Sequence, residues 1–126
     1  EVKNGKVFRN FPESESEYTG QPYLVDEYGG VKWDPSTQVD KRLGEAQNLQ
    51  SWGYGRAPQS EEEFLQRVKE LTDVLLSLPH ISGYCYTQLT DVEQEKNGLY
   101  YYSRQPKFKS DLFRAIFSRK PDGYDL

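Results

Sequence analysis

Two short apolar segments, each followed at some distance by an amphipathic helical pattern, constrain the fold of this chain most. The first segment covers residues 23–28 (YLVDEY) between Pro22 and a glycine pair, and the second covers residues 81–87 (ISGYCYT). Short apolar runs with such boundaries are typical of buried strands. The order strand, long loop, helix, strand, long loop, helix predicts an α/β barrel or a parallel sheet.

The two helical patterns have clear boundaries in the sequence. Ser60 and Glu63 fit a capping box at the start of the first helix, and Pro79 follows its end. The apolar stripe of this helix, at helical spacing, consists of Phe64, Val68, Leu71, Leu75 and Leu78. The second helix is predicted over residues 108–118, and residues 98–102 (GLYYY) predict a third, shorter extended piece.

The length of the chain is too small for a complete barrel. The chain has 126 residues and no Met, whereas an eight-stranded barrel takes about 250 residues. We therefore expect a piece of a longer protein that forms a single partial domain over residues 1–126. Within it we expect a polar segment at residues 1–20, with a short hairpin near residues 6–8, barrel strands and helices at residues 21–119, and a tail at residues 120–126.

So few parallel strands leave unpaired edges. Parallel sheets normally have more strands and are covered on both faces. Because unpaired strand edges tend to pair with another chain, we expect the isolated chain to self-associate.

Charge and composition exclude several classes of function. The net charge is −4, from 16 basic and 20 acidic residues, and no basic stripe of the kind that binds nucleic acid is present. The apolar runs are too short for a membrane span. One histidine (His80) and one cysteine (Cys85) make no zinc-type cluster. We therefore expect no nucleic-acid partner, no membrane partner and no metal, and we expect Cys85 to be buried by packing.

The aromatic content points to a different kind of ligand. The chain has ten Tyr and two Trp, side chains that combine a flat apolar face with a polar edge. Such side chains suit a sugar ring, although ordinary core and rim packing explains them equally well. The long segment over residues 31–59 contains Trp33 and Trp52, which either wall a pocket or pin the loop.

An acidic pair, Asp26-Glu27, ends the first predicted strand and is followed by the glycine pair. Barrel enzymes place catalytic groups at the carboxyl ends of their strands, and the glycines let the chain turn away from a substrate. The alternative is that the acidic pair is a solvated loop feature or a helix-cap partner.

Three linked motifs resemble glycoside hydrolase family 2, the β-galactosidase and β-glucuronidase group. Residues 22–30 (PYLVDEYGG) are similar to its seventh barrel strand, which ends in Ser, Cys or Asp followed by Glu-Tyr. Residues 83–91 (GYCYTQLTD) resemble the eighth strand, and residues 97–107 (NGLYYYSRQPK) resemble the stretch after it. The resemblance covers residues 21–119 in the family's order. It implies the last two βα units of a (β/α)8 TIM barrel.

The resemblance also implies a reaction. Family 2 enzymes are retaining glycosidases, in which a carboxylate attacks the anomeric carbon and a second carboxyl about 5–5.5 Å away acts as acid and base. Glu27 matches the nucleophile, and Tyr28 is a hydroxyl-bearing neighbour that we expect to stabilise its anion. The family's acid/base Glu follows an Asn, and this chain has no Asn-Glu pair. We therefore expect the isolated chain to be inactive, and two carboxylates need no cofactor.

The same resemblance implies a sugar subsite. Tyr86 matches the position of an aromatic residue, often Trp, that lies against the sugar, and Thr87 and Gln88 follow with hydrogen-bonding groups. Glucuronate-specific members carry Asn-x-Lys-Gly, and Glu95 and Asn97 occupy the asparagine and lysine positions here, which favours a neutral sugar such as a galactoside. The alternative for Tyr86 is core packing between strand and helix.

Two further functions remain open at this point. One is a non-catalytic carbohydrate-binding or interaction module that uses the aromatic-rich loops. The other is a structural domain without a site, in which Glu27 has no role.

Overall fold

The computed structural model describes most of the chain, namely residues 2–3, 6–7, 14, 16–35, 51–121 and 123–124. Its elements in chain order are β1 (Val2–Lys3), β2 (Lys6–Val7), β3 (Tyr23–Gly29), α1 (Glu61–Ser77), β4 (Ile81–Thr87) and α2 (Ser110–Phe117). β1 and β2 pair antiparallel, in the region where the sequence predicts a hairpin; residue 8 lies outside the described residues.

The central feature is a parallel pair made by β3 and β4. Tyr23 lies opposite Ile81 at one end, and Tyr28 lies opposite Tyr86 near the other. The prediction of a mixed α/β structure with parallel strands is therefore confirmed. Both strands end at the same edge of the pair, which brings the segments that follow them together.

The prediction that β3 is buried is wrong. Leu24 is 62 % exposed, and Tyr23, Asp26 and Glu27 are also exposed. Among the described residues, β3 has a strand neighbour on one side only, which is β4. An apolar strand sequence needs a covering layer to be buried, and that layer is missing from the described part of the chain. The exposure of Cys85 corrects the expectation that it is buried, since alternation along β4 directs it away from the face that carries Tyr84 and Tyr86.

Helix α1 begins where the sequence predicts, but its buried row is displaced. The backbone N–H of Glu63 donates to Ser60 Oγ at 3.1 Å, which confirms Ser60 as the N-cap. The Glu63 carboxylate accepts from the Gln59 backbone N–H at 2.7 Å. The buried residues are Phe64, Val68, Thr72 and Leu76. Leu71 and Leu78, which belong to the apolar stripe read from the sequence, are exposed, because the row spaced by four residues faces the sheet and α2.

The hydrophobic core is an aromatic cluster between α1, α2 and the segment after β3. The rings of Phe64 and Phe108 are stacked with centroids 4.6 Å apart, and Trp33 lies 5.8 Å from Phe64 and 5.7 Å from Phe108. Phe113 on α2 completes the cluster. Each such ring pair contributes about 0.5–1.5 kcal/mol beyond the area it buries.

Two predicted elements have different bounds in the structure. α2 begins at Ser110, two residues after the predicted start, because Phe108 belongs to the core cluster and precedes the helix. Residues 98–102 form no strand; Tyr100 makes isolated bridges to Thr90 and Pro106 instead. Among the described helices, none combines the length and the apolarity that a bilayer crossing requires.

Candidate functional site

The site lies where β3 ends, at an irregularity in its pairing. Val25 pairs with Tyr84 and Tyr28 pairs with Tyr86, with a register shift between them. Asp26 and Glu27 on β3 therefore lie opposite the single residue Cys85 on β4, which is a β-bulge. Bulges redirect side chains and are frequent next to active sites. Here the bulge leaves the side chain of Glu27 exposed at the strand tip.

Tyr54 is the hydrogen-bond partner of Glu27. Its hydroxyl Oη donates to Glu27 Oε1 at 3.0 Å. This hydrogen bond and the negative charge of Glu27 raise the pKa of Tyr54 above its ordinary value. Tyr54 therefore stays protonated and remains a donor to the carboxylate over the whole range in which enzymes normally work.

The glycine pair after β3 makes room for Tyr54. Gly30 has a φ of +63°, and a Cβ atom there would collide with the Tyr54 ring. The Gly30 carbonyl accepts from the Tyr54 backbone N–H at 2.6 Å, and the Gly30 N–H donates to the Thr87 carbonyl at 2.6 Å. Gly30 thus ties the tips of β3 and β4 to the loop that carries Tyr54, and only glycine fits this position.

The loop that carries Tyr54 also carries Trp52. The Trp52 N–H donates to the Gln94 carbonyl, and the Trp52 carbonyl accepts from the Lys96 N–H, both at 2.8 Å. The Trp52 and Tyr54 ring centroids are 6.2 Å apart. Trp52 is 49 % exposed and Tyr54 is 50 % exposed. Two half-exposed aromatic rings therefore project from a backbone that is held by hydrogen bonds at both Trp52 and Tyr54.

A directed chain of side-chain hydrogen bonds runs from the tip of β4. Gln88 Nε2 donates to Asn97 Oδ1 at 2.6 Å, and Asn97 Nδ2 donates to Glu95 Oε1 at 2.9 Å. Asn97 is fully buried, so its side chain positions Gln88 and Glu95 and has no surface with which to meet a sugar. The Thr87–Gln88 peptide bond at the start of this segment is cis.

A buried ion pair holds the segment after β4. Asp91 is 1 % exposed, and its Oδ1 accepts from Lys107 Nζ at 2.6 Å and from the Gly98 N–H at 3.0 Å. Lys107 Nζ also donates to the Trp33 carbonyl at 2.8 Å. Burial lowers the pKa of Lys107, although the bond to Asp91 acts in the opposite direction. This carboxylate is neutralised and inaccessible, so it belongs to the framework of the site.

Three residues predicted for the site lie elsewhere. Tyr28 faces α1, where its hydroxyl is 2.9 Å from Thr72 Oγ1; the Thr72 O–H is donated to the Val68 carbonyl, so Tyr28 is the donor. This geometry corrects the expectation that Tyr28 stabilises the Glu27 anion, because its hydroxyl points into the helix layer.

Tyr86 and Trp33 lie in or against the core. Tyr86 packs between Tyr28 and Phe117, with centroids 5.5 and 5.3 Å away, and its buried hydroxyl has no partner among the residues that the structure describes. Trp33 is 8 % exposed. For both residues the structure favours the packing alternative over direct contact with a ligand.

Of the expected residues, Glu27, Thr87 and Gln88 do lie at the joined strand tips. Tyr54 was not among the residues predicted for the site. The signal was present, because a tyrosine between two glycines (GYG, residues 53–55) in a long loop indicates a ring that the backbone is shaped to admit. No local sequence pattern indicated that Asp91 and Lys107 form an ion pair, since the two residues are 16 positions apart.

Comparisons with protein-family models and with curated protein sequences find no match to this chain. Within the described residues there is also no group of three or more His, Cys, Asp or Glu side chains arranged to hold a metal ion.

Proposed function

We propose that this chain carries the nucleophile half of a retaining glycosidase site of the family 2 type, acting on a neutral sugar as a β-galactosidase does. In this proposal β3, α1, β4 and α2 are the last two βα units of a (β/α)8 barrel. The acid/base carboxyl then comes from outside these 126 residues.

The proposed reaction has two balanced steps. A Glu27 carboxylate oxygen bonds to the anomeric carbon while the glycosidic C–O bond breaks, and the leaving oxygen takes a proton from the second carboxylic acid. Water then gives a proton to that carboxylate, and its oxygen displaces Glu27 from the anomeric carbon. Each step is a displacement at the same carbon, so the configuration is retained.

The observation that carries the proposal is the environment of the Glu27 carboxylate. It is exposed at the tip of a parallel strand and accepts a hydrogen bond from a neutral hydroxyl, that of Tyr54. No ion pair involves Glu27 among the described residues. A carboxylate in such a place is accessible to a substrate and, within the described part of the chain, has no cation bound to its oxygens, which a nucleophile needs.

The charges around this tip support a neutral sugar. Both Glu27 and Glu95 act on the pKa of Tyr54, so two carboxylates lie near the same ring. Asn97 holds Glu95 on this side. A uronate or phosphate group would be repelled here, whereas the hydroxyl groups of a neutral sugar can donate hydrogen bonds to carboxylate oxygens.

The test is a matched pair of variants in a protein that contains the complete site. Glu27→Gln should lower kcat by roughly 10⁴-fold or more, whereas Asp26→Asn, which removes the adjacent exposed carboxylate, should keep activity within about tenfold. Equal effects of the two substitutions would contradict the assignment. The 126-residue chain alone should not hydrolyse an activated aryl glycoside, because it lacks the second carboxyl.

A non-catalytic carbohydrate-binding module is the second candidate. The half-exposed rings of Trp52 and Tyr54 favour it, because they offer a sugar-binding surface that does not depend on Glu27 as a nucleophile. Under this candidate, Glu27→Gln leaves any activity of a longer protein unchanged.

We also propose that the isolated chain self-associates. β3 pairs with β4 alone among the described strands, and Leu24, Val74 and Leu71 are exposed. Unpaired strand edges and exposed apolar side chains favour association. Size-exclusion chromatography with light scattering should give a mass above 14.7 kDa, and a uniform monomer would contradict the proposal.

A further inference from the structure

We propose that Trp52 and Tyr54 form an aromatic platform for the sugar on the leaving-group side of the scissile bond, so that the substrate is a neutral di- or oligosaccharide. The position relative to the bond rests on the proposed function. The binding of a sugar ring by the platform does not rest on it, and a binding test and a kinetic test distinguish these two claims.

The platform combines exposure with rigidity. Both rings are about half exposed, which is uncommon for side chains whose backbone is so firmly held. The backbone of Trp52 bonds to Gln94 and Lys96, and that of Tyr54 bonds to Gly30. Between them, a Cβ atom at Gly53 would lie 2.8 Å from the backbone Cα of Lys32. A surface fixed before a ligand arrives loses little conformational entropy on binding.

The platform lies next to Glu27. The Tyr54 hydroxyl is 3.0 Å from the Glu27 carboxylate, and the Trp52 ring centroid is 6.2 Å from that of Tyr54. A sugar whose anomeric carbon meets Glu27 therefore has the Tyr54 edge beside it. In the proposal, the next sugar of the substrate lies over Trp52. In the proposed reaction that sugar is the leaving group.

The charges around the platform also favour a neutral sugar. Glu27 and Glu95 lie near Tyr54, and the nearby Lys32 Nζ donates to the Ser51 carbonyl at 2.8 Å. Two carboxylates against the Lys32 ammonium give an anionic ligand a net negative surrounding, and an apolar protein surface would have to desolvate these charges. A sugar ring has an apolar C–H face for the aromatic rings and hydroxyl groups for the carboxylates, so it fits both features.

The binding test uses the 126-residue chain and ligand-observed NMR. The neutral probes are lactose and cellobiose, and the anionic probe is a disaccharide that ends in glucuronic acid. We expect saturable binding of at least one neutral probe and binding of the anionic probe that is about tenfold weaker or more. No saturable binding at up to about 100 mM, or equal binding of the anionic probe, would overturn the proposal.

Three variants make the binding test specific. Trp52→Ala should weaken binding by about tenfold or more, whereas Trp52→Phe keeps a flat ring and should stay within about threefold of the parent chain. Tyr102→Ala removes an exposed aromatic residue outside the platform and should leave the Kd within about twofold. If Trp52→Ala binds as the parent does, or if it only turns a self-associated chain into a monomer, the platform does not bind sugar.

A kinetic test in the complete protein locates the platform relative to the bond. Trp52→Ala should lower kcat/KM for the disaccharide by about tenfold or more, and that for the glycosyl fluoride of the same sugar by less than about twofold. Equal losses for both substrates would overturn the leaving-group assignment. The proposed function fails separately, if Glu27→Gln retains turnover while sugar binding still depends on Trp52.

Discussion

Glu27 lies near the end of β3 and Asp91 follows β4, and these two carboxylates lie in opposite environments. Asp91 is almost completely buried and bonds to Lys107 and to the Gly98 backbone. Glu27 is exposed and accepts a hydrogen bond from the neutral Tyr54 hydroxyl. An acidic residue near a strand end therefore either stabilises the fold or stays accessible to a ligand, and its hydrogen-bonding partner determines which.

The physical reason is the cost of burying a charge. A carboxylate removed from water requires a cation and further hydrogen bonds to compensate for lost hydration. Asp91 has both, because its carboxylate forms an ion pair with Lys107 and accepts a hydrogen bond from the Gly98 N–H. Glu27 needs no such compensation because it is exposed to water, and its carboxylate remains accessible to a ligand.

The largest expected effect is on the Asp91 side of this comparison. Asp91→Ala should lower the free energy of unfolding by about 3–5 kcal/mol, because it leaves the buried Lys107 ammonium without its partner. Glu27→Gln should change it by less than about 0.5 kcal/mol, as is usual for an exposed site. Chemical denaturation of both variants measures this, and similar losses would remove the distinction between the two carboxylates.

A double variant tests whether Asp91 and Lys107 are energetically coupled. Replacing both members of the pair, with Asp91→Leu and Lys107→Met, removes both buried charges together. The two substitutions should therefore be non-additive, with the double variant more stable than the sum of the single effects by about 0.5–3 kcal/mol. Strict additivity in a double-mutant cycle would indicate that the ion pair is not energetically coupled.

Two tyrosines on neighbouring strands provide a smaller contrast. Tyr28→Phe removes the hydrogen bond to Thr72 and should cost about 1 kcal/mol. Tyr86→Phe removes a buried hydroxyl that has no partner among the described residues, so it should be neutral or stabilising. Thermal unfolding of the two variants under the same conditions checks the order. A larger loss for Tyr86→Phe would show that its hydroxyl makes a contact of its own.

A final expected effect, absent at neutral pH, is a dependence of stability on alkaline pH. Burial raises the pKa of Tyr28 to about 12 and also raises the pKa of Tyr86, whereas an unfolded tyrosine ionises near pH 10. The folded state therefore holds more protons than the unfolded state above about pH 10, and stability falls as the pH rises towards 12. The decline should be shallower when both tyrosines are replaced by Phe, and an unchanged slope would contradict the assignment.

The fold was predictable where local signals determine it. Ser60 caps α1 because its hydroxyl and the following acidic turn are a local arrangement. The parallel pairing of β3 and β4 follows from the order of strands and helices. Burial was not predictable for β3 or for Leu71, because it depends on which other elements cover them, and a short apolar strand has the same sequence whether or not a neighbour is present.

The candidate site was predictable only in part, for a similar reason. Glu27 stands out by its place at a strand end before two glycines. Its hydrogen-bond partner does not stand out in the same way, because successive side chains of a strand point to opposite faces and the neighbour of Glu27 in sequence therefore lies on the other face. Tyr28, the neighbour in sequence, points to Thr72, and Tyr54, 27 positions away, reaches the carboxylate.

The most direct measurement is covalent labelling of the nucleophile in a protein that contains the complete site. A 2-deoxy-2-fluoro glycosyl fluoride has a good leaving group, and its second fluorine slows hydrolysis of the glycosyl-enzyme intermediate. Peptide mass spectrometry after inactivation should find the fluorosugar on Glu27, with no label in the Glu27→Gln variant. A label on Asp26 or another carboxylate, or turnover without any covalent intermediate, would contradict the account.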